Sequence, residues 1–185
     1  MFKMTLLVIL GLLALLVLWV ISVQRKLVSQ DELCSNSMSQ IGVQQQSRWD
    51  AISALVDLTR SYNEHEYKTL RDVIAMRKDI NGKSSASEAD AQEQALTGAI
   101  RQIQVVAENY PELKANDSYI KTMDSVNLYE NQVRTSRMVY NDSVTKYNRI
   151  VRQFPDSVVA GMFHFETKEY LKEVAEKADM PKINI

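Results

Sequence analysis

This sequence has little of what most catalytic and metal sites are built from. It contains one cysteine and two histidines, which excludes an internal disulfide and a histidine-rich metal site. It has no glycine-rich phosphate loop and no serine flanked by glycines. Its 22 basic and 23 acidic side chains nearly cancel, and no basic patch is interleaved with aromatic residues. We therefore expect no enzyme, no catalytic residues, no cofactor and no nucleic-acid partner.

The two histidines do not stand at metal-ligand spacings. A zinc protease helix needs a second histidine four residues after the first, but Thr69 stands there after His65. Ferritin-like bundles need a glutamate three residues before the histidine, and Tyr62 and Gly161 occupy those positions before His65 and His164. We expect no metal site. The lone cysteine is interpreted as a small apolar packing residue, with an intermolecular disulfide as the alternative.

One long apolar run stands near the N-terminus. Residues 4–23, MTLLVILGLLALLVLWVISV, carry no charge, and as a helix they span about 30 Å, the hydrocarbon thickness of a bilayer. Trp19 falls at interfacial depth, and Arg25 and Lys26 follow. A cleaved signal peptide is the alternative, but the run is longer than its usual apolar core and no small-x-small site follows. The sequence predicts a single-pass membrane anchor.

The charges at the two ends of this run nearly balance, because Lys3 and the amino terminus face Arg25 and Lys26. They do not decide which side of the membrane holds the rest of the chain. The anchor is assigned to residues 1–26, and the lipid bilayer is its partner through residues 4–23.

Beyond the anchor, apolar residues spaced three and four apart predict an all-α fold. We expect an antiparallel bundle of three to four long helices over residues 27–179, and an extended tail at residues 180–185. The first helix should continue out of the anchor, since residues 24–29 contain no proline or glycine. It is predicted to reach the helix-ending pair Asn81-Gly82, after which Ser87 caps a second helix that forms a hairpin with it.

The stretch YPELKAN, residues 110–116, interrupts the helical pattern. Pro111 must end the second helix, and Asn116 or Asp117 can cap the next. The third helix, about residues 118–153, carries an apolar seam with a heptad spacing. After Pro155, the apolar residues 158–165 are expected to fold back over the far end of that seam, and residues 166–179 return to helical charge spacing. YPELKAN is therefore predicted to be a turn rather than a binding loop.

Two seam positions of the third helix are charged, Glu130 and Arg137. In a ligand-binding or enzymatic interpretation, Glu130 would act as a general base in a dry site. In the structural interpretation the two form a paired polar layer with Gln45, Arg48 or Asn141 from facing positions, which fixes helix register. We favour the structural interpretation, because no nucleophile or cofactor motif converges with them.

The chain resembles the LemA family of bacterial membrane proteins. The resemblance rests, in order, on the apolar anchor and on the segments QIGVQQQSRWDAISALVDLTRSYNEHE, YPELKAN, YENQVRTSRMVYNDSVTKYN, FPDSVVAGMFHF and PKINI. The chain departs from the family at residues 51–54, AISA, where a proline is common, and at Cys34, where an aromatic residue is frequent. The resemblance implies a helical bundle on one membrane anchor and carries over no catalytic residue.

Two classes of function follow from these observations. The first is a membrane-anchored scaffold of the cell envelope that acts by forming a homo-oligomer or by binding other envelope proteins. The second is a ligand-binding or enzymatic domain with a site around Glu130 and Arg137. A pocket lined by these two residues would favour the second class.

Overall fold

The computed structural model describes residues 2–172 and confirms an all-α fold. Within that range there is no β-strand, and six helices follow one another. They are α1 (Phe2–Thr59), α2 (Glu64–Ile74), α3 (Ala86–Asn109), α4 (Pro111–Lys114), α5 (Asp117–Arg152) and α6 (Asp156–Met162). The extended tail expected at residues 180–185 lies outside the described residues.

Helix α1 joins the apolar N-terminal run to the bundle without a break, as the sequence predicted. It has 58 residues, which at 1.5 Å per residue gives a rod of about 87 Å. Its first seventeen residues, 2–18, are exposed on all sides, whereas Val23 and Leu27 are buried against other elements. The boundary expected at residues 26 and 27 thus falls inside one continuous helix.

The chain turns back at residues 60–63, earlier than the sequence predicted. Asn63 caps α2, since its side-chain oxygen accepts hydrogen bonds from the backbone amides of His65 (2.8 Å) and Glu66 (3.4 Å). The first hairpin is therefore α1 with α2. Asn81-Gly82 does not end a helix, because residues 75–84 are non-helical.

These non-helical residues pass directly over α1. The backbone of Ile80 lies so close to Gly42 that a Cβ atom at residue 42 would overlap the Ile80 carbonyl oxygen. The side chain of Gln92 holds the same segment from α3, because it accepts from the Lys78 amide (3.0 Å) and donates to the Met76 carbonyl (3.2 Å). The Trp49 indole also donates to Gln92, which links α1, α3 and the crossing segment.

Helix α3 begins at a capping box formed by Ser85 and Glu88, not at the expected Ser87. The hydrogen bonds that the Glu88 carboxylate receives from the Ser85 backbone and hydroxyl lower the pKa of Glu88. Ser85 lies two residues before the expected cap, and its hydroxyl accepts a hydrogen bond from the Glu88 amide. Because Glu88 stands three residues after Ser85, the helix begins after Ser85 and not after Ser87.

YPELKAN forms the turn that the sequence predicted. Pro111 opens the single-turn helix α4, Leu113 is fully buried, and Asn116 caps α5 through the amides of residues 118 and 119. The Asn63 side chain donates to the Tyr110 hydroxyl, and Asn116 donates to the Tyr62 hydroxyl. The turn is thus fastened to the α1–α2 connection, and no part of it forms an open loop.

Two apolar clusters fix the helix directions. Residues early in α3 pack beside Cys34 and Met38 of α1, while residues late in α3 pack beside Trp49 and Val56. Helices α1 and α3 therefore run the same way. Helix α5 begins in the second cluster and ends in the first, so it runs antiparallel to both.

The apolar seam of α5 is covered mainly by α1, and Val159, Ala160 and Phe165 fold back onto its far end, as expected for residues 158–165. Tyr140, Val144 and Tyr147 are buried with Leu27, Cys34 and Met38 of α1. In α6 only Val159 and Ala160 are buried, and Pro155 rather than a side-chain cap precedes it. The segment 163–172 is not helical. The helix expected from the charge spacing after residue 166 is therefore wrong as far as residue 172.

Candidate functional site

A buried ionic layer joins α1, α3 and α5 between the two apolar clusters. The Arg48 guanidinium, whose side chain is 2 % exposed, lies 2.6 Å from the Glu93 carboxylate and 3.2 Å from that of Glu130. Gln45 donates to the other oxygen of Glu93 at 3.2 Å. One guanidinium thus pairs with two carboxylates, one from each neighbouring helix, and Arg134 supplies a second positive charge beside Glu130.

A second ion pair lies one heptad further along α5 from the first, and the segment that ends at Lys172 also contacts it. Arg137 Nη2 lies 2.6 Å from Asp90 Oδ1 on α3 and donates to the Lys172 carbonyl, also at 2.6 Å. The Lys172 amide donates to the second oxygen of Asp90 at 3.2 Å. Asp90 and Arg137 are both buried, so each depends on the other for charge compensation.

Glu130 and Arg137 do not pair with each other, which corrects the interpretation of a shared layer. They are seven residues apart on α5, which separates them by about 10.5 Å along the helix axis. Glu130 pairs with Arg48, which is one of the facing residues that the sequence suggested. It also pairs with Arg134 on its own helix, at 3.6 Å. Both charges are structural partners of α1 and α3 rather than of one another.

The sequence interpretation missed the two acidic partners on α3. Asp90 and Glu93 stand three residues apart among Ala86, Ala89 and Leu96, which are all buried. A charged residue on the apolar face of a helix was the signal that singled out Glu130 and Arg137. The same criterion applied to α3 would have found Asp90 and Glu93.

An open cleft of about 360 Å³ lies between α3 and α5, with Arg48 among the residues that line it. Its lining includes four arginines and two glutamates, so the charge of the lining is positive: Arg48, Arg101, Arg134, Arg137, Glu93 and Glu130. Two buried nitrogen atoms here, Arg48 Nε and Arg137 Nη1, have no hydrogen-bond partner among the described residues. Such unpaired donors are costly in a protein interior.

The segment leading to Lys172 is held against α5 by two asparagines of the repeated motif YN-x-x-V-x-x-YN. The Asn148 amide donates to the Lys168 carbonyl (2.9 Å) and accepts from the Lys168 amide (2.8 Å). Asn141 makes the same pair of bonds with Leu171, at 3.1 and 2.9 Å. The repeat in the sequence is therefore a pair of clamps for the backbone of residues 168–171.

The two repeat tyrosines are packing residues of the same region. Desolvation by burial raises the pKa of Tyr140 and of Tyr147 to about 12, so both phenols are neutral at physiological pH. Tyr140 donates to the Glu169 carbonyl at 3.3 Å, and the Lys168 ammonium lies 5.5 Å from the centre of the Tyr147 ring. Burial also raises the pKa of the Cys34 thiol, which keeps it protonated and unreactive.

Within residues 2–172, no three histidine, cysteine, aspartate or glutamate side chains gather as a metal site. His65 lies exposed on α2, and His164 lies exposed in the segment that follows α6. Neither histidine lines the cleft. The charged groups that line the cleft are guanidiniums and carboxylates.

Comparison with known proteins agrees with this architecture. Residues 37–185 match the model of the LemA family. Two curated relatives, magnetosome proteins MamQ 1 and MamQ 2 of Paramagnetospirillum magneticum (strain ATCC 700264 / AMB-1), are each 28 % identical over 95 residues. That match covers 51 % of this chain and 34 % of each relative, so the chain matches about a third of their length. The family match covers the bundle from residue 37 onward, including the turn at residues 110–116 and the asparagine clamps, and the chain belongs to the LemA family.

Proposed function

We propose that this protein is a single-pass scaffold of the bacterial cell membrane, with residues 4–23 in the bilayer, and that it has no catalytic activity. The observation that carries the proposal is the continuity of α1, which is at once the apolar run and the central helix of the bundle. Because no hinge separates the two, the bundle holds a fixed orientation relative to the anchor. A rigid, oriented surface suits a protein that acts through other proteins.

We further propose that the scaffold forms a homo-oligomer through one face of α1. Between Leu33 and Ser47 the helix has no charged residue. Its outward positions include the exposed apolar side chains of Leu33 and Val43, together with Asn36, Gln40 and Gln46. An uncharged face about 21 Å long is suited to helix packing between copies. Anchoring in one membrane raises the local concentration of copies and favours the contact. Other envelope proteins are the alternative partners.

Val43→Glu tests this face. Val43 is 62 % exposed, so the glutamate leaves the fold of a single copy intact. In a symmetric contact the new carboxylates would face each other or an apolar surface. We expect the dissociation constant of the oligomer to rise at least about tenfold, which corresponds to 1.4 kcal/mol. Light scattering of the full chain in detergent measures the mass of the complex.

Met138→Glu is the matched control, because Met138 is similarly exposed, at 68 %, but lies on α5. It should leave the oligomer mass unchanged. A wild-type chain that is a monomer at all concentrations would contradict self-association. Equal effects of the two substitutions would contradict the choice of the α1 face.

A ligand-binding domain is the second candidate, and the cleft between α3 and α5 favours it. The cleft is lined by Glu130 and Arg137, the two residues for which the sequence raised this alternative. The excess of arginine over glutamate in its lining favours a small carboxylate-bearing ligand.

Succinate is a suitable probe for this candidate. A ligand present at a hundred times its dissociation constant stabilises the folded state by about 2.7 kcal/mol, which raises the thermal midpoint. We expect Arg134→Ala, at the rim of the cleft, to abolish the rise. Lys146→Ala, an exposed change elsewhere on α5, should preserve it. No rise in the wild type would remove small dicarboxylates as ligands and leave the scaffold proposal untouched.

A further inference from the structure

The short helix α6 and the residues around it expose an apolar patch at one end of the bundle. Phe154 is 79 % exposed, Met162 64 %, Val158 52 % and Phe163 49 %. The opposite side of the same helix is buried through Val159 and Ala160. The segment thus has an apolar inner face that packs on the bundle and a second apolar face with no partner in the chain as described.

This patch lies at the level where α1 leaves its apolar run. The Lys26 ammonium is 3.5 Å from the Asp156 carboxylate at the start of α6. Val23 and Leu27 of α1 share the apolar cluster with Val159 and Ala160. Trp19 and Val20, within the apolar run itself, also pack against that cluster. The base of the bundle therefore reaches below the last residue of the predicted bilayer span.

The depth of the base follows from helix geometry. From Val23 back to Trp19 the helix axis descends by about 6 Å, which reaches from the boundary into the outer part of the hydrocarbon core that residues 4–23 would span. The residues that pack beside Trp19 and Val20 therefore lie at least partly inside the membrane and not in bulk water. Exposed phenylalanine and methionine at this depth meet headgroups and the upper acyl chains.

The charged residues around the patch agree with that position. Arg25, Lys26, Arg149 and Arg152 are all exposed on the elements that meet at this end of the bundle. Of the two acidic residues between residues 153 and 166, Asp156 is paired with Lys26 and Glu166 is exposed. Basic side chains at this depth can extend their charged ends to lipid phosphates while their stems cover apolar surface.

We propose that the patch formed by Phe154, Val158, Met162 and Phe163 is a second membrane contact, which inserts into the bilayer interface beside the anchor. The proposal rests on the proposed placement of residues 4–23 in the bilayer. It adds to that placement, because a helix that only crosses the bilayer could tilt and rotate freely. A second contact on one side of α1 limits the tilt of α1 together with its bundle and sets which side of the bundle faces the membrane.

The test uses the full chain in vesicles of phosphatidylcholine and phosphatidylglycerol. An environment-sensitive fluorophore is attached to a single cysteine in a Cys34→Ala background at Phe154→Cys, Met162→Cys or Phe163→Cys. These side chains are exposed, so labelling leaves the packing intact. Leu10→Cys, in the middle of the apolar run, reports on the anchor. Met138→Cys, exposed on α5 well above the patch, is the matched control.

We expect brominated acyl chains to quench the three patch labels and the Leu10 label, and aqueous iodide to quench the Met138 label alone. Quenching of Leu10 with iodide-accessible patch labels would overturn the second contact and preserve the anchor. Patch labels protected from both quenchers would overturn it in favour of a second protein copy. Quenching of the Met138 label by the brominated acyl chains would also overturn the second contact, because it would show that the whole bundle lies along the membrane surface. Failure at Leu10 would overturn both the anchor and the contact.

Discussion

Arg137→Leu is expected to destabilise the bundle by about 3–5 kcal/mol, because it leaves the buried Asp90 carboxylate without a counter-charge. It also removes the hydrogen bond to the Lys172 carbonyl. Asp90→Leu should cost a similar amount for the reciprocal reason. The double variant should lose far less than the sum of the two, since an apolar pair leaves no buried charge. Urea-unfolding midpoints of the four chains complete the cycle.

Glu130→Leu is the control for this cycle. Arg48 keeps Glu93 as its partner at 2.6 Å, and the Glu130 side chain is partly exposed, so its loss should cost less. Its effect should add to that of Arg137→Leu, since the two residues have separate partners. Strong coupling between Glu130 and Arg137, or additive losses from Asp90 and Arg137, would refute the observed pairing.

Gly42→Ala is the second change with a large expected effect. Alanine normally stabilises a helix relative to glycine, but here its methyl group would overlap the Ile80 carbonyl. Separating α1 from the crossing segment should cost about 1–3 kcal/mol, as overpacking does in other cores. Gly98→Ala in α3 meets nothing within 4 Å and should stabilise by up to about 1 kcal/mol.

The opposite signs of these two glycine changes are the diagnostic result. Both remove the same backbone freedom from a helix interior, so any difference must come from what lies beside the residue. Thermal unfolding monitored by circular dichroism measures both variants. A stabilising Gly42→Ala would mean that residues 75–84 do not pass against α1.

The helices with strong local signals could be predicted from the sequence. The continuity of α1, the stop before Pro111 and the cap at Asn116 all depend on neighbours within four residues. The break after Thr59 could not be predicted in the same way, because Arg60, Ser61 and Tyr62 are compatible with a helix. Only the capping geometry of Asn63 marks it, and asparagine is common in many other settings.

The segment that ends at Lys172 was mispredicted for a different reason. Its charges recur at helical spacing, yet its backbone groups are satisfied by side chains twenty or thirty residues away. Local periodicity carries no information about such distant partners. For the same reason, charged positions on α5 identified Glu130 and Arg137 as unusual but could not name Asp90 as the partner of Arg137, or Glu93 as the second partner of Arg48.

The two asparagine clamps require that a stretch of helix α5 and the non-helical segment 168–171 have matching lengths. Seven residues of α5 rise by about 10.5 Å, and three residues of extended chain cover about 10 Å. Asn141 and Asn148 are therefore spaced to meet Leu171 and Lys168 and no other pair at once. A one-residue insertion between the asparagines would rotate one of them about 100° away from the groove. Changes of length in α5 are tolerable here only in whole heptads, each matched by three residues in the segment it holds.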